Sequence, residues 1–384
     1  MNITQRLGNK SIYGWTLSKA QTMKLSIPDY ILSIKPYTPG KPLEELEREY
    51  GIDNSIKLAS NENPLGPSPM ALEAIKQAIP KLNRYPDGSG HDLIQKISNL
   101  IGLSPQHIVL GNGSDEIIGM LAFAMLQPGD ETILPHPSFL MYEIMVRGAG
   151  ATPVFVPLTS LSIDLEEVKK KITSKTRMIF LCNPNNPTGT IITKKDFETF
   201  IKEIPDEIIV VVDEAYIEFV RDQNCAVSLE YIDDMTPLVT LRTFSKVYGL
   251  AGLRIGYGVM PAKIADILNR IRLPFNANSL AQIGAGAALE DKRFIEKVIA
   301  LIHDGLDFLY DALGRLGINY FPTQTNFLLI DVRKDADEIY ENMLRQGVIV
   351  RSMKSYGYPN YIRINVGLHE ENVRFLKALK KSLA

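Results

Sequence analysis

Cysteine occurs only twice, at Cys182 and Cys225, which excludes a disulfide framework and fits a reducing compartment. The five histidines, at positions 91, 107, 136, 303 and 369, are scattered, with no HExxH and no Cys/His cluster. That distribution argues against a metal enzyme. No run approaches the roughly 18 consecutive apolar residues of a membrane span, so a soluble chain with no membrane partner is expected. Neither sign of charge dominates: 42 basic residues stand against 44 acidic ones, a formal net charge of −2. No basic run is long enough to form a polyanion groove, and nucleic acid is not an expected partner.

What is present is 384 residues with 45% apolar content, enough for two or three units with sizeable cores. The first 22 residues carry Arg6, Lys10 and Lys19 and no acid, and polar residues interrupt each short apolar run. No signal peptide is expected there. Residues 1–25 read as a flexible leader, with Met23 as an alternative start. From Ile56 to residue 285, short apolar runs alternate with amphipathic segments. The runs at 109–110, 131–134, 152–156, 177–181, 208–212, 238–241 and 255–259 read as strands. The run at 208–212 has no alternation, as expected of a central parallel strand covered on both faces. Together they predict an α/β domain, a mainly parallel sheet flanked by helices. Beyond residue 286 come a long amphipathic stretch from Arg293 to Leu316, short strands at 326–330, 348–350 and 361–366, a helix near 335–345 and a terminal helix. That pattern predicts a smaller α+β domain over 286–384, with a cleft between the two units.

Four segments carry chemistry. Arg242-Thr243-Phe244-Ser245-Lys246 follows an apolar strand, and a lysine at the carboxyl end of such a strand points into the crevice where parallel sheets bind ligands. Its amine suits a Schiff base with a carbonyl cofactor, while Ser245 and Arg254 suit a phosphate. The plain alternative is a surface lysine in a polar loop. Asp213-Glu214-Ala215-Tyr216 follows the 208–212 strand, where a carboxylate is costly unless a cation such as a protonated pyridine nitrogen partners it. Tyr216 is placed to donate to a ring oxygen; the alternative for Asp213 is a helix N-cap. Asn183-Pro184-Asn185-Asn186-Pro187-Thr188-Gly189 is over-specified as a turn alone, so a presented Asn186 amide is expected to meet the ligand. Gly111-Asn112-Gly113-Ser114-Asp115-Glu116 reads as strand, glycine turn and helix, an anion site at a helix start. Its two acids also complement the helix dipole unaided. Phe139 follows a strand and is placed to stack on a ring, although a lone phenylalanine is more often core. Arg363, mid-strand in an otherwise apolar run, is expensive unless it meets an anion, and Arg351 lies close enough in sequence to approach the same cleft.

Taken in order, Asn61-Glu62-Asn63-Pro64, Arg84-Tyr85-Pro86-Asp87, Gly113–Glu116, Asn183–Gly189, Asp213–Tyr216, Thr243–Lys246 and Gly252-Leu253-Arg254 resemble the fold-type I pyridoxal-phosphate aminotransferases. The closest resemblance is to their histidinol-phosphate branch, from about Ser26 to the C-terminus. The resemblance implies a large domain (56–285) with a seven-stranded sheet that binds pyridoxal 5'-phosphate, and a small domain (286–384) joined by an N-terminal arm (26–55). It implies that Lys246 holds the cofactor as a Schiff base, that Asp213 pairs with its ring nitrogen, and that Asn186 and Tyr216 bind its ring oxygen. Phe139 then stacks on the ring. Ser114, Asp115, Ser245 and Arg254 hold the phosphate, with Thr243 nearby. Tyr85 reaches the cofactor phosphate of the other subunit, implying a homodimer with shared active sites, and the two cysteines fit a cytoplasmic protein. Tyr37, Asn186, Arg351 and Arg363 bind substrate. The implied reaction exchanges an amino group between L-histidinol phosphate and 2-oxoglutarate, giving imidazole acetol phosphate and glutamate. An aromatic-amino-acid aminotransferase and a threonine-phosphate decarboxylase use the same scaffold. A ligand-sensing regulator would need a fused DNA-binding unit, for which the leader is short.

Overall fold

The computed structural model describes residues 25–37, 40–233 and 235–384, so the expected leader lies outside the described residues except for Leu25. In chain order the strands are β1 (Ile56–Lys57), β2 (Ile108–Gly111), β3 (Glu131–His136), β4 (Thr152–Pro157), β5 (Thr176–Cys182), β6 (Ile209–Asp213), β7 (Leu238–Thr243) and β8 (Gly256–Val259). After a helix-rich stretch follow β9 (Asn319–Phe321), β10 (Phe327–Asp331), β11 (Val348–Ile349), β12 (Arg351–Ser352) and β13 (Tyr361–Asn365).

Seven strands form one sheet in the order β2-β8-β7-β6-β5-β3-β4. Its centre is parallel, and Val210, Val211 and Val212 of β6 are buried on both faces, which explains the unbroken apolar run. The sheet is not wholly parallel: β8 runs antiparallel to both β2 and β7. A parallel return needs a crossover, usually a helix. The connection from β7 to β8 holds only a short 3-10 turn, Ala251–Leu253, so the chain doubles back instead. That same connection carries Ser245, Lys246 and Arg254.

The helix Lys292–Arg315 leads to the small module. The Asp291 side chain caps it by accepting from the Phe294 amide, and Val298, Ile302, Leu306, Leu309 and Leu313 form its buried stripe. Spacings of three and four residues put those side chains on one face, and truncating Ile302 to alanine would cost about 2–5 kcal/mol. The module itself is an antiparallel sheet, β12-β13-β10-β9, packed on Ala336–Leu344 and His369–Leu383. The strand expected at 348–350 stops at Ile349. Val348–Ile349 pairs in parallel with β1, and Arg351–Ser352 starts a separate strand against β13. Residues 56–58, at the start of the large unit by sequence pattern, are hydrogen-bonded to this C-terminal module.

Candidate active site

The carboxyl ends of β5 and β6 finish level, Cys182 beside Asp213, while β7 passes Asp213 at Leu241 and runs on to Thr243. The loops leaving them surround a cavity of about 240 Å³ lined by Ser114, Phe139, Asn186, Asp213, Tyr216 and Lys246, among others. It therefore sits in the crevice beyond the strand ends that parallel sheets reserve for ligands.

Asp213 ends β6 and is 4% exposed. No helix follows it within the next turns, only the 3-10 turn Ile217–Phe219, so the N-cap alternative fails. Its Oδ2 accepts from Tyr142 Oη at 2.7 Å and its Oδ1 from the Ala215 amide at 3.1 Å. Burial nevertheless pushes the carboxyl up to about 6, against the opposing pull of the Tyr142 hydrogen bond. A carboxylate so placed is a receptor for a cation.

Lys246 lies in the β7–β8 connection with its Nζ 3.4 Å from the Ser60 carbonyl and 5.5 Å from the Tyr216 ring centre. Burial, and then the charge of Arg363, lower its amine to about 8. A buried amine near neutrality is a nucleophile and a proton carrier.

The anion cradle forms where the helix Ser114–Met125 begins against the Arg254 loop. Arg254 adopts a left-handed backbone, φ 55°, which turns its side chain back across the loop. Its Nη1 donates to Ser245 Oγ at 3.3 Å and its Nη2 to Asp115 Oδ2 at 3.2 Å. Glycine permits the approach. A Cβ at Gly113 would lie 2.5 Å from Arg254 Nη2, and one at Gly256 would lie 2.6 Å from the Ser114 amide nitrogen. Free amides at a helix start beside a guanidinium make a phosphate site.

From the small module, Arg363 on β13 enters the same region. It is 6% exposed, donates from Nη1 to Asn186 Oδ1 at 2.5 Å and from Nη2 to the Ala59 carbonyl at 2.9 Å, and lies 5.2 Å over the Phe327 ring. No carboxylate lies within ion-pair distance of it among the described residues, and its Nε is buried without a hydrogen-bond partner. Arg351 stands directly opposite it in the β12–β13 register. Asn186 also donates to Tyr216 Oη at 3.4 Å, and Asn61 donates to that oxygen at 3.0 Å.

Most of the residues singled out in the sequence thus meet in one place. Thr243 accepts from the Ser245 amide and shapes the lysine loop, and Phe139 lines the cavity edge-on to Tyr142. Three do not meet there within this chain. Tyr85 is 82% exposed, stacked on Phe275 beside a separate cavity of about 1080 Å³. Tyr37 lines another cavity, of about 480 Å³, together with Arg351, His136 and Glu143. Asn61, inside a quoted motif, and Tyr142, three residues past Phe139, carry no assigned role in the sequence pattern. Their only signal is a tertiary hydrogen bond, which sequence spacing does not disclose.

The donor set fits pyridoxal 5'-phosphate: a buried carboxylate for its ring nitrogen, two polar side chains for its ring oxygen, an amine for its carbonyl, and a helix start with Arg254 for its phosphate. A profile of the family "Aminotransferase class I and II" matches residues 53–379, and the chain belongs to that family. Within it, the chain is similar to histidinol-phosphate aminotransferases. It is 48% identical over 368 residues to that of Desulfotalea psychrophila, covering 95% of this chain and 97% of that one. It is 44% identical to that of Caldicellulosiruptor saccharolyticus, covering 92% and 99%. The crystal structure of histidinol-phosphate aminotransferase from Sinorhizobium meliloti in complex with pyridoxal-5'-phosphate superposes with a TM-score of 0.87 at 27% identity, covering 94% of this chain and 98% of that one. Among the described residues no helix is long and apolar enough to cross a membrane.

Proposed function

We propose that the chain transfers the amino group of L-histidinol phosphate to 2-oxoglutarate, giving imidazole acetol phosphate and glutamate, with pyridoxal 5'-phosphate held at Lys246. When bound, the cofactor supplies an electron sink for the bond broken at the donor's Cα. The chain's residues do the rest. Asp213, ionised against a ring cation and held by Tyr142, keeps that ring nitrogen protonated. Asn186 and Tyr216 meet the ring oxygen, Phe139 covers one ring face, and Ser114, Asp115, Thr243, Ser245 and Arg254 form the phosphate end. Lys246 Nζ, neutral for a substantial part of the time near pH 8, takes the proton from Cα.

The observation that carries the substrate reading is Arg363. A buried guanidinium with an unused Nε and no carboxylate partner among the described residues, facing Arg351 across two strands, is uncompensated until an anion enters. Guanidinium forks match a phosphomonoester and a dicarboxylate alike, which is what alternating between the two substrates requires. Tyr37 and Arg351, which line the neighbouring cavity and whose charges act on Arg363, are assigned to the outer side of this anion pocket. The reading extends to a cytoplasmic homodimer in which Tyr85 serves the partner's site; its exposed ring, with Leu82, Leu273 and Phe275, supports an apolar contact between copies.

The test is a half-reaction of the cofactor-loaded protein with L-histidinol phosphate, L-phenylalanine and L-threonine phosphate, followed in the cofactor spectrum with product analysis. L-Histidinol phosphate should convert the cofactor fastest, and the phosphorylated keto product should accumulate. Phenylalanine as much the better donor, or carbon dioxide release from threonine phosphate, would replace this reading.

A further inference from the structure

Directly behind the site lies an ionic cluster that the proposed reaction does not use. Glu214 follows Asp213 and is fully buried. Arg242 precedes Thr243 and is 13% exposed at its side chain. The Arg242 guanidinium grips Glu214 Oε2 from Nε at 2.8 Å and from Nη2 at 2.7 Å, and its Nη1 lies 3.5 Å from Glu218. The other Glu214 oxygen accepts from the Ser228 amide at 2.5 Å and from the Ser228 hydroxyl at 2.8 Å. That hydroxyl also meets Thr240 Oγ1 of β7 at 2.7 Å. Every oxygen is satisfied, so the desolvation cost of a buried pair is offset and the geometry is stiff.

The location matters more than the strength. Ladder hydrogen bonding between β6 and β7 ends where Glu214 N donates to the Leu241 carbonyl at 3.0 Å. Past that point the chains diverge, one into the Ala215–Tyr216 loop and the other into the lysine loop. Side chains alternate across a strand, so Asp213 faces the cavity while Glu214 faces away, and Arg242 sits on the strand beside it. Among the described residues, the ion pairs that join the two diverging ends are those of Arg242, with Glu214 and, less closely, with Glu218.

We propose that Glu214 and Arg242 are positioning residues for the reaction: their buried ion pair fixes the separation between Asp213 at the end of β6 and Lys246 beyond the end of β7. The inference rests on the roles proposed above for Asp213 and Lys246. A cofactor bonded to Lys246 and paired with Asp213 spans both, so any drift between the strand ends misplaces one of its two attachments. Misplacement by about an ångström costs on the order of a hundredfold in such sites.

Two variants test it. Glu214→Asp keeps the charge but shortens the arm by one methylene; Arg242→Lys keeps the charge but loses the fork. The readout is the pH dependence of amine labelling at Lys246 in the full chain without cofactor, by acetylation and peptide mapping, with cofactor affinity measured alongside. The charged groups that act on Lys246 are Arg363, Glu62, Asp115, Arg254 and Asp213, none of which is altered. The labelling midpoint should move by about half a pH unit or more, and cofactor affinity should fall by about tenfold or more, in protein whose circular dichroism is unchanged. Labelling midpoints and affinities equal to the wild type in both folded variants would overturn the proposal, and so would failure of both variants to fold, which would make the pair a stability element. Wild-type Lys246 that labels like a surface lysine would instead remove the reading on which the inference rests.

Discussion

Tyr142 Oη lies 2.7 Å from Asp213 Oδ2, a hydroxyl buried to 1% exposure donating to a carboxylate buried to 4%. A tyrosine of such low acidity, its hydroxyl raised well above the ordinary value by burial and then by the Asp213 charge, can only donate here. It therefore favours the ionised carboxylate. Replacing Tyr142 by phenylalanine should weaken cofactor binding at neutral pH by about 1.5–3 kcal/mol, the worth of a hydrogen bond to a charged group. Cofactor titration of the two apoproteins at pH 6 and pH 8 checks it, and equal affinities at both would refute the role.

Asp213 also sets a stability signature. Its folded value of about 6 exceeds the ordinary 3.8, so the folded cofactor-free chain binds this proton more tightly than the unfolded chain does. Stability contributed by this group is then present below the unfolded value and lost as pH rises through 6, amounting to about 2–3 kcal/mol at pH 7. Asp213→Asn should stabilise the cofactor-free protein at pH 7, with an advantage that shrinks toward pH 4. Urea unfolding across that range decides, and a destabilised variant at pH 7 would contradict the burial argument.

The two arginines separate by function. Arg363→Ala should lower kcat/KM in both half-reactions by about 2–4 kcal/mol, because each substrate anion loses a buried charge-assisted contact. Arg351→Ala should impair the phosphorylated donor more than glutamate. Single-turnover kinetics with each substrate measure this, and identical losses for both at Arg351 would remove its selective role.

Gly113 sits at φ 80° with Arg254 Nη2 where its Cβ would be, whereas Gly129 sits at φ 100° with nothing nearby. Both alanine variants should lose about 1 kcal/mol of stability to backbone strain. Only Gly113→Ala should also displace Arg254 and weaken binding of the cofactor phosphate. Matched thermal unfolding and cofactor titration distinguish the two costs.

Where one residue type can serve one purpose, the sequence was legible. The uninterrupted run ending at Asp213 announced a strand covered on both faces, and the doubled Asn-Pro turn announced a presented Asn186. Lys246 was legible for its place after a strand, and Arg363 for its charge amid apolar neighbours. Relations between distant segments were not legible. Tyr142 reads as one more core aromatic until its hydroxyl is seen against Asp213. The reversal of β8 follows from a missing crossover helix, and the break at Val350 follows from two different pairing partners, β1 and β13. Glu214 and Arg242 stand inside the quoted motifs without any sign of a partnership, because their pairing depends on the sheet that brings β6 and β7 together.

If Lys246 carries the amino transfer, borohydride reduction of the cofactor-loaded protein will show it. Reduction freezes the cofactor onto whichever amine holds it, and peptide mapping then reads the position. One pyridoxyl-labelled lysine, Lys246, is expected, with labelling abolished when L-histidinol phosphate is added before reduction and restored by 2-oxoglutarate. Label on any other lysine, or label at Lys246 that L-histidinol phosphate leaves unchanged, would contradict it.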